Sequence, residues 1–304
     1  MISKSIIFMG TPDFAVKSLE KIIQQNINVI AVITAPDKQS GRGRKINFSP
    51  VKKYALDQNI DVYQPKNLKD GKFQNEIQNL KADLFVVVAF RMLPESLINI
   101  PKLGCINLHA SYLPHYRGAA PINWVIINGE KETGITIFFL NKRIDEGDVI
   151  MQKKVKINKN ETAGTLHDRL MNLGSNLLTE SIFKIFDNNF KKVNQEISPT
   201  HIKAPKIDKN ICVLLTKHRA KKNINIIHGL SPYPGAIINH KNKSYKIFSA
   251  RSSKYVTNKK VGLFINDKKI FFNNEMKESI EILEIQAEGK KRMNAYEYVK
   301  GNKL

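Results

Sequence analysis

The chain has 304 residues, 42% of them hydrophobic and 25% charged, which predicts a globular protein with room for two domains. No apolar run approaches the roughly 20 residues needed to cross a bilayer, and no secretory signal peptide is recognisable, so we expect a cytoplasmic protein outside the membrane-protein class. The formal net charge of +22 predicts a polyanionic partner, although frequent Lys, Ile and Asn throughout the chain point to a contribution from genome composition.

Short apolar runs and amphipathic segments alternate through the first half of the chain. Apolar runs without polar alternation are typical of strands buried on both faces of a parallel sheet. Residues 14–23 have helical spacing, and the predicted strands are residues 6–9, 29–33, 84–89, 105–109 and 134–139. We therefore predict an α/β fold with a Rossmann-like, doubly wound parallel sheet, whose ligands bind at the carboxyl ends of the strands.

The sequence changes in character near residue 190. Residues 191–206 are polar and irregular, and short β-type segments separated by turns follow them, before a predicted helix near residues 294–300. We therefore predict an α/β domain over residues 1–190, a linker over 191–206 and an OB-like β-barrel domain over 207–304. Residues 206–260 carry 13 Lys or Arg and one acidic residue, Asp208, so the positive charge is concentrated in this last part. The predicted strands of the barrel are residues 236–238, 244–248, 261–265 and 270–272.

The two cysteines, Cys105 and Cys212, lie far apart in the sequence and form no CxxC pair. A disulfide scaffold or a zinc knuckle is not indicated, and free thiols in a reducing cytosol are expected. The seven histidines are scattered, so the sequence also predicts no metal site.

Asn107 and His109 are two residues apart on a predicted strand, so their side chains share one face of the sheet. An amide donor beside an imidazole can stabilise a carbonyl oxygen that gains charge in a tetrahedral transition state. Asp145 lies in a tight turn after a later strand, where its carboxylate could hold the tautomer of His109 and accept a proton from an attacking amine. Each of these residues also has a purely structural interpretation, either the end of a polar strand or an Asp turn.

The segment GRGRK at residues 41–45 combines flexible glycines with cations that can contact phosphate. This combination favours a loop that becomes ordered on RNA, and the alternative is a solvated basic loop. The candidate nucleic-acid contacts are Arg42, Arg44 and Lys45.

Eight segments make the chain resemble the methionyl-tRNA formyltransferases, within the folate-dependent formyltransferases. The segment at residues 104–114 is specific to the folate-dependent group, and the N-terminal turn, the basic loop and the C-terminal part narrow the resemblance to the tRNA enzymes. The matching segments are GTPDFA (10–15), APDKQSGRGRK (35–45), SPVK (49–52), GCINLHASYLP (104–114), YRGAAP (116–121), ETG (132–134), DEGD (145–148) and QAEGKKRM (286–293).

The resemblance implies that Asn107, His109 and Asp145 are the catalytic residues for transfer of a formyl group from 10-formyltetrahydrofolate to the α-amine of initiator methionyl-tRNA. It also implies that the basic loop reaches the acceptor end of the tRNA and that no metal takes part. A monomer fits two domains that clasp one tRNA. The implied folate-binding residues are Val87, Val88, Ala89, Phe90, Arg91, Met92, Leu93, Ser111, Tyr112, Leu113 and Pro114.

The chain departs from the family pattern at residues 208–216, where an acidic residue followed by an Ile-Asp-Trp segment is usual. This departure concerns the packing between linker and barrel and leaves the catalytic residues untouched. Two other functions are compatible with part of the sequence. One is a formyltransferase for glycinamide ribonucleotide or a sugar-nucleotide amine, and the other is an RNA-binding module without catalysis. The basic segments argue against the first, and the intact catalytic positions argue against the second.

Overall fold

The computed structural model describes residues 4–40, 45–254, 261–302 and 304. The chain divides into two compact units, and each unit is assembled from segments that are separated in the sequence. Unit 1 comprises Met1–Arg117, Gly134–Val155 and Asp168–Lys203. Unit 2 comprises Gly118–Thr133, Lys156–His167 and Ala204–Leu304.

The first 186 residues form nine strands and six helices among the residues described, and most of the strands are followed by a helix. The strands are β1 (Ser5–Gly10), β2 (Asn28–Ile33), β3 (Lys38–Ser40), β4 (Lys45–Asn47), β5 (Val62–Tyr63), β6 (Leu84–Val88), β7 (Cys105–His109), β8 (Glu132–Phe139) and β9 (Val149–Lys156). The helices are α1 (Asp13–Gln24), α2 (Pro50–Asp57), α3 (Gly71–Asn79), α4 (Glu95–Ile98), α5 (Pro121–Asn128) and α6 (Ala163–Phe186).

Seven of these strands form one sheet in the order β5-β2-β1-β6-β7-β8-β9. The five strands from β5 to β7 are parallel, with Met9 paired to Val87 and Val87 to Asn107. β8 then runs antiparallel to β7, with His109 opposite Thr136. The predicted Rossmann-like α/β fold is confirmed, and each of the five strands predicted in this half overlaps a strand of the sheet.

Two of the helices in this half of the chain begin at side-chain caps. Ser49 accepts a hydrogen bond from the Lys52 backbone N–H at 3.0 Å and so caps α2, while Pro50 occupies the first helical turn. Asp70 caps α3 in the same way through the Phe73 N–H at 2.9 Å. These caps fix where α2 and α3 begin.

Unit 2 contains an antiparallel sheet in the order β10-β11-β14-β13-β12, with β15 paired to β14. A Cβ placed on Gly262 in β12 would stand 3.9 Å from the His240 ring at the end of β10, so the two edge strands approach each other and the sheet curls. This curled sheet is the predicted barrel-like second fold. Its elements are α7 (Lys209–Cys212), α8 (Ala220–Gly229), β10 (Ala236–His240), β11 (Lys243–Ser253), β12 (Gly262–Asn266), β13 (Lys269–Asn273), β14 (Ser279–Ala287), β15 (Met293–Asn294) and α9 (Ala295–Gly301).

The core of unit 2 takes one helix from the middle of the chain. Ile127 of α5 is fully buried beside Ile226 and Ile227 of α8. The Asn123 side chain donates to the Gly229 carbonyl at 2.7 Å, and the Trp124 indole donates to the Pro205 carbonyl at 2.7 Å. α5 is therefore an integral part of this unit, although residues 118–133 are far from its other segments in the sequence.

The atypical segment at residues 208–216 has a regular structure. Asp208 caps α7 by accepting hydrogen bonds from the Asn210 and Ile211 N–H groups at 2.8 and 3.0 Å. Cys212 and Leu214 are buried in the unit 2 core. The sequence departure is thus accommodated by a short capped helix that supplies core residues.

Among the residues that the structure describes, none of the helices combines the length and the apolar character needed to cross a bilayer.

Candidate active site

Two of the predicted catalytic residues lie on β7, next to the central strand β6, and His109 is the last residue of β7. Asn107 is half-buried, and His109 is 6% exposed. Their two-residue spacing on a strand directs both side chains to one face of the sheet. The hydrogen bonds of β7 to β6 on one side and to β8 on the other fix the backbone beneath them.

The His109 ring lies between a carbonyl oxygen and a carboxylate. Its Nε2 lies 2.9 Å from the Tyr116 carbonyl oxygen, which can only accept, so this nitrogen carries a proton. Its Nδ1 lies 3.7 Å from Oδ2 of Asp145. The fold therefore brings the side chains of His109 and Asp145 close together although the two residues are distant in the sequence, as predicted.

Asp145 lies in a turn with an unusual backbone conformation. Its φ is +54°, in the left-handed region that few residues other than glycine adopt. The turn also packs tightly on the end of β8, because a Cβ placed on Gly147 would stand 1.7 Å from the Phe139 carbonyl oxygen. The direction of the Asp145 carboxylate is thus set by the backbone of residues 145–147.

A buried ion pair holds the same turn from the side of the β7 loop. The guanidinium of Arg117, with a side chain 7% exposed, contacts Glu146 Oε1. A second cation, Arg143, lies 3.7 Å from Glu146 Oε2 and is 71% exposed. Arg117 follows Tyr116 directly, so the partner of His109 and the partner of Glu146 are adjacent in the chain.

One further contact of the turn was missed by sequence reasoning. Gln195 donates hydrogen bonds from Nε2 to the carbonyl oxygens of Asp145 at 3.0 Å and Gly147 at 2.8 Å. Residue 195 lies in the polar stretch predicted to be part of a linker. No sequence signal identifies it, because it binds main-chain atoms that every residue type possesses.

The loop at residues 111–114, predicted to bind folate, is fastened to the antiparallel strands. Thr136 of β8 donates to the Ser111 carbonyl at 2.8 Å and accepts from the Leu113 N–H at 3.1 Å. Gln152 of β9 donates to the Leu113 carbonyl at 2.8 Å. The Tyr112 side chain remains 36% exposed. This loop is a fixed platform beside His109.

The segment at residues 87–93 leaves the sheet at β6. Val87, Val88 and Leu93 are buried in the core, whereas Ala89, with a φ of +48°, begins an exposed bend. Phe90 is partly buried against the same core. Of the predicted folate-binding residues here, the last three, Arg91, Met92 and Leu93, line an open cavity of about 510 Å³.

The composition of this cavity suits a folate. Its size is that of a small-molecule site. Leu68, Met92 and Leu93 offer apolar surface for a flat ring, and Lys66, Lys69 and Lys142 offer cations for a carboxylate tail. Arg91 is held by the Pro65 and Lys66 carbonyls at 2.8 and 3.2 Å. These residues fit the predicted co-substrate, and they also include side chains from residues 66–69 and 142 that the sequence did not indicate.

The predicted RNA loop lies mostly outside the described residues. Arg42 and Arg44 are among those not described, and of Lys45 the backbone alone is described, at the start of β4. The base of the loop is a short hairpin in which Lys38 pairs with Asn47. Next to it, hydrogen bonds from Gln64 at 2.8 Å and from Lys52 at 2.6 Å hold the pKa of Asp37 below its ordinary value.

The site as a whole presents an amide, an imidazole and a carboxylate at one edge of the sheet. Within the described part of the chain, no group of three or more His, Cys, Asp or Glu side chains is arranged to hold a metal ion. The arrangement supports polar stabilisation of a developing oxyanion together with proton transfer.

Comparison with known proteins identifies related chains. A model of the family described as formyl transferase matches residues 3–182, and one described as formyl transferase, C-terminal domain, matches residues 206–303. The methionyl-tRNA formyltransferase of Bacteroides fragilis is 43% identical over 305 residues, which cover 97% of this chain and 94% of that protein. The methionyl-tRNA formyltransferase of Flavobacterium johnsoniae is 45% identical over 300 residues, covering 97% and 95%.

A solved structure with the same fold is an N-formyltransferase from Helicobacter canadensis in complex with folinic acid and dTDP-3-aminofucose. It superposes with a TM-score of 0.69 at 22% identity and covers 94% of this chain and 100% of that one. At this level of identity the likeness is one of fold.

Proposed function

This chain belongs to the formyl transferase family, and from that membership we propose that it transfers a formyl group from 10-formyltetrahydrofolate to the α-amine of methionyl initiator tRNA. The observation that supports the chemistry is the group formed by Asn107, His109 and Asp145 at the carboxyl edge of the sheet. The sequence similarity over nearly the whole chain supports the choice of acceptor.

The proposed reaction forms one bond and breaks one bond at the formyl carbon. The α-amine nitrogen bonds to that carbon, and the bond from the carbon to the folate nitrogen then breaks. One proton leaves the amine, and one ends on the departing folate nitrogen. The residues of the chain hold the two reactants together and stabilise the charge that develops on the formyl oxygen.

Each catalytic residue has a distinct proposed role. Asn107 donates its amide N–H to the developing oxyanion, and His109, beside it on the same strand face, also stabilises that charge. When both ring nitrogens of His109 carry protons, Nε2–H donates to the Tyr116 carbonyl oxygen and Nδ1–H faces the Asp145 carboxylate. Asp145 orients His109 and takes part in removal of the amine proton.

The folate is proposed to bind along residues 87–93, in the cavity lined by Arg91, Met92 and Leu93, with the loop at residues 111–114 on the other side of His109. When bound, the co-substrate supplies the activated formyl group. The chain supplies an apolar surface for its ring and lysines for its carboxylates.

The tRNA is proposed to contact Arg42, Arg44 and Lys45 and the basic C-terminal part of the chain. The functional division into a catalytic domain at 1–190, a linker at 191–206 and a tRNA-binding domain at 207–304 is part of this proposal, as are a monomeric state and a cytoplasmic location. The concentration of 13 cations in residues 206–260 supports a polyanionic acceptor over a small amine.

The decisive experiment offers purified protein 10-formyltetrahydrofolate together with each candidate acceptor. Methionyl initiator tRNA should be formylated far faster than glycinamide ribonucleotide or an amino-sugar nucleotide. Formylation of either small amine without formylation of the tRNA would show that the proposed acceptor is wrong. Static light scattering of the same preparation tests the monomeric state.

A further inference from the structure

Gln195 is unusual within its own segment. Among residues 191–200, all of which the structure describes, it is the only buried one, with 6% of its surface exposed. Its neighbours Asn194 and Glu196 are exposed. A polar side chain that is buried alone in a polar, irregular stretch needs hydrogen-bond partners that compensate for its lost hydration.

Those partners belong to the turn that carries Asp145. The amide nitrogen of Gln195 donates both its hydrogens, one to the Asp145 carbonyl at 3.0 Å and one to the Gly147 carbonyl at 2.8 Å. Because both partners are carbonyl oxygens, the opposite orientation of the amide would place oxygen against oxygen. The two hydrogen bonds therefore establish which terminal atom of the amide is the nitrogen, and they fix its position.

The segment of Gln195 is itself attached to the sheet. Two residues earlier, Val193 pairs with Val149, the first residue of β9, through backbone hydrogen bonds of 2.8 and 2.9 Å. Val149 follows the Asp145 turn by four residues. The pairing of Val193 with Val149 thus fixes the position of Gln195 beside the turn, and the Gln195 side chain then hydrogen-bonds to the turn itself.

The turn depends on such support because of its backbone conformation. Asp145 has a φ of +54°, a conformation that costs free energy for a residue with a Cβ. It persists where surrounding contacts offset that cost. The Arg117–Glu146 ion pair anchors one side chain of the turn, and Gln195 donates hydrogen bonds to two of its backbone carbonyl oxygens. Together they determine where the Asp145 carboxylate points, 3.7 Å from His109.

We propose that Gln195 is a positioning residue for the formyl transfer reaction, which acts through Asp145 by fixing the backbone turn that aims this carboxylate at His109. The inference rests on the proposed function for the identity of the reaction, but the geometry it concerns is independent of the acceptor. Gln195 touches neither substrate in this scheme.

The test compares Gln195→Met with the wild-type chain. Methionine keeps the length of the side chain and removes both donors. Since a displacement of about 1 Å in a catalytic group costs up to about 100-fold in rate, kcat should fall about 10- to 100-fold, while KM for each substrate changes less than about threefold. Glu196→Met, a change at an exposed neighbour, is the matched control and should leave both parameters unchanged.

A double-mutant cycle distinguishes positioning from general destabilisation. If Gln195 acts through Asp145, then Gln195→Met should lower kcat less than about twofold in a chain that already carries Asp145→Asn. Multiplicative losses in the double variant would overturn the proposal. A loss of the folded state, seen as a thermal transition below the assay temperature, would overturn it as well, because Gln195 would then serve stability alone.

Gln195→Glu adds a pH readout. A protonated carboxyl can donate one hydrogen bond to the turn, whereas the ionised form donates none and faces two carbonyl oxygens. The rate of this variant relative to wild type should therefore fall as pH rises through the titration of the introduced carboxyl. A constant ratio across that range would contradict the proposal.

Failure of the proposed function remains separable from failure of this inference. The cycle is measured with whichever amine the wild-type chain formylates, so an acceptor other than tRNA leaves it valid. A crystal structure of Gln195→Met provides a readout without activity. Retention of the 3.7 Å separation between Asp145 and His109 would sink the proposal, and a longer separation is the expected result.

Discussion

The Nδ1 atom of His109 lies 3.7 Å from Oδ2 of Asp145, while Nε2 on the other side of the ring bonds the Tyr116 carbonyl at 2.9 Å. The carboxylate is therefore just beyond hydrogen-bond distance, and the ring is held firmly by one partner. Catalytic hydrogen bonds are often long without substrate and shorten in the reactive complex. A small movement of the Asp145 turn is enough to complete this contact.

Replacement of His109 by Ala should abolish most catalysis and leave tRNA affinity nearly intact. A positioned acid–base residue contributes about 10²- to 10⁴-fold, so kcat should fall by an amount in that range. Single-turnover formylation measures the first effect, and filter binding of methionyl-tRNA measures the second. Unchanged turnover would show that His109 is not catalytic.

Replacement of Glu146 by Leu should destabilise unit 1 by about 3 kcal/mol, because it leaves the buried Arg117 guanidinium without its carboxylate. The double variant Arg117→Met/Glu146→Leu should recover much of this loss, since no charge then remains buried there. Urea unfolding followed by circular dichroism gives both free energies of unfolding. Equal stabilities of the single and double variants would contradict the expectation.

Gly147→Ala should displace the catalytic turn. The added Cβ would stand 1.7 Å from the Phe139 carbonyl oxygen, so the backbone must shift at a cost of about 2 kcal/mol or more, and kcat should fall with it. Gly71→Ala is the matched control, because no atom lies within 4 Å of a Cβ placed there. That variant should be as stable as the wild type or slightly more stable. Comparable melting temperatures for the two variants would refute the steric argument.

The stability of unit 2 should decrease as pH falls below about 6.5. Burial lowers the pKa of His228 from its ordinary value of 6.5, even though its ring bonds the Ala250 carbonyl at 3.1 Å. Below pH 6.5 the unfolded chain binds a proton that the folded chain does not. The free energy of unfolding is therefore highest above pH 6.5 and decreases as the pH falls below that value. Urea midpoints at pH 7.5 and 5.5 should differ less for His228→Gln than for the wild type.

His240 contributes to the same pH dependence, because burial and Lys241 lower its pKa too. The double variant His228→Gln/His240→Gln should therefore show the smallest pH dependence of the three chains. An unchanged difference between the two midpoints in the double variant would exclude both histidines as its source.

Arg42→Ala should weaken the affinity for methionyl-tRNA and reduce the slope of log affinity against log salt concentration by about one unit, as expected for the loss of one phosphate contact. Lys72→Ala, which removes an exposed cation from α3, serves as the control and should leave the slope unchanged. Equal slopes for Arg42→Ala and the wild type would remove Arg42 from the tRNA interface.

The elements that the sequence predicted best are those that carry their own signal. Uninterrupted apolar runs identified β1, β2 and β6, because strands covered on both faces need such runs. β14 was missed, since Glu281 and Glu284 interrupt its isoleucines and no apolar run marks the strand. Asn294, predicted at the start of the last helix, is its cap.

The site divides in the same way. Strand spacing predicted that Asn107 and His109 share one face, and Asp145 was predicted beside them because a carboxylate in a turn complements an imidazole. The structure places Asp145 3.7 Å from His109, and the catalytic roles stay predictions. Tyr116 and Gln195 were not found. Tyr116 contributes a carbonyl oxygen and Gln195 binds carbonyl oxygens, so neither contact depends on a pattern of side chains that a sequence displays.

Because α5 packs against α8, which is synthesised much later, the core of unit 2 cannot form until α8 has been made. Ile127 is made before β8 and β9, but its burial requires α8, which is made about a hundred residues later. At about 5–20 residues per second, the ribosome exposes this apolar helix for on the order of ten seconds before its partner exists. The nascent chain thus carries an unprotected isoleucine face, and we expect this interval to be the period in which a ribosome-associated chaperone matters most to its yield.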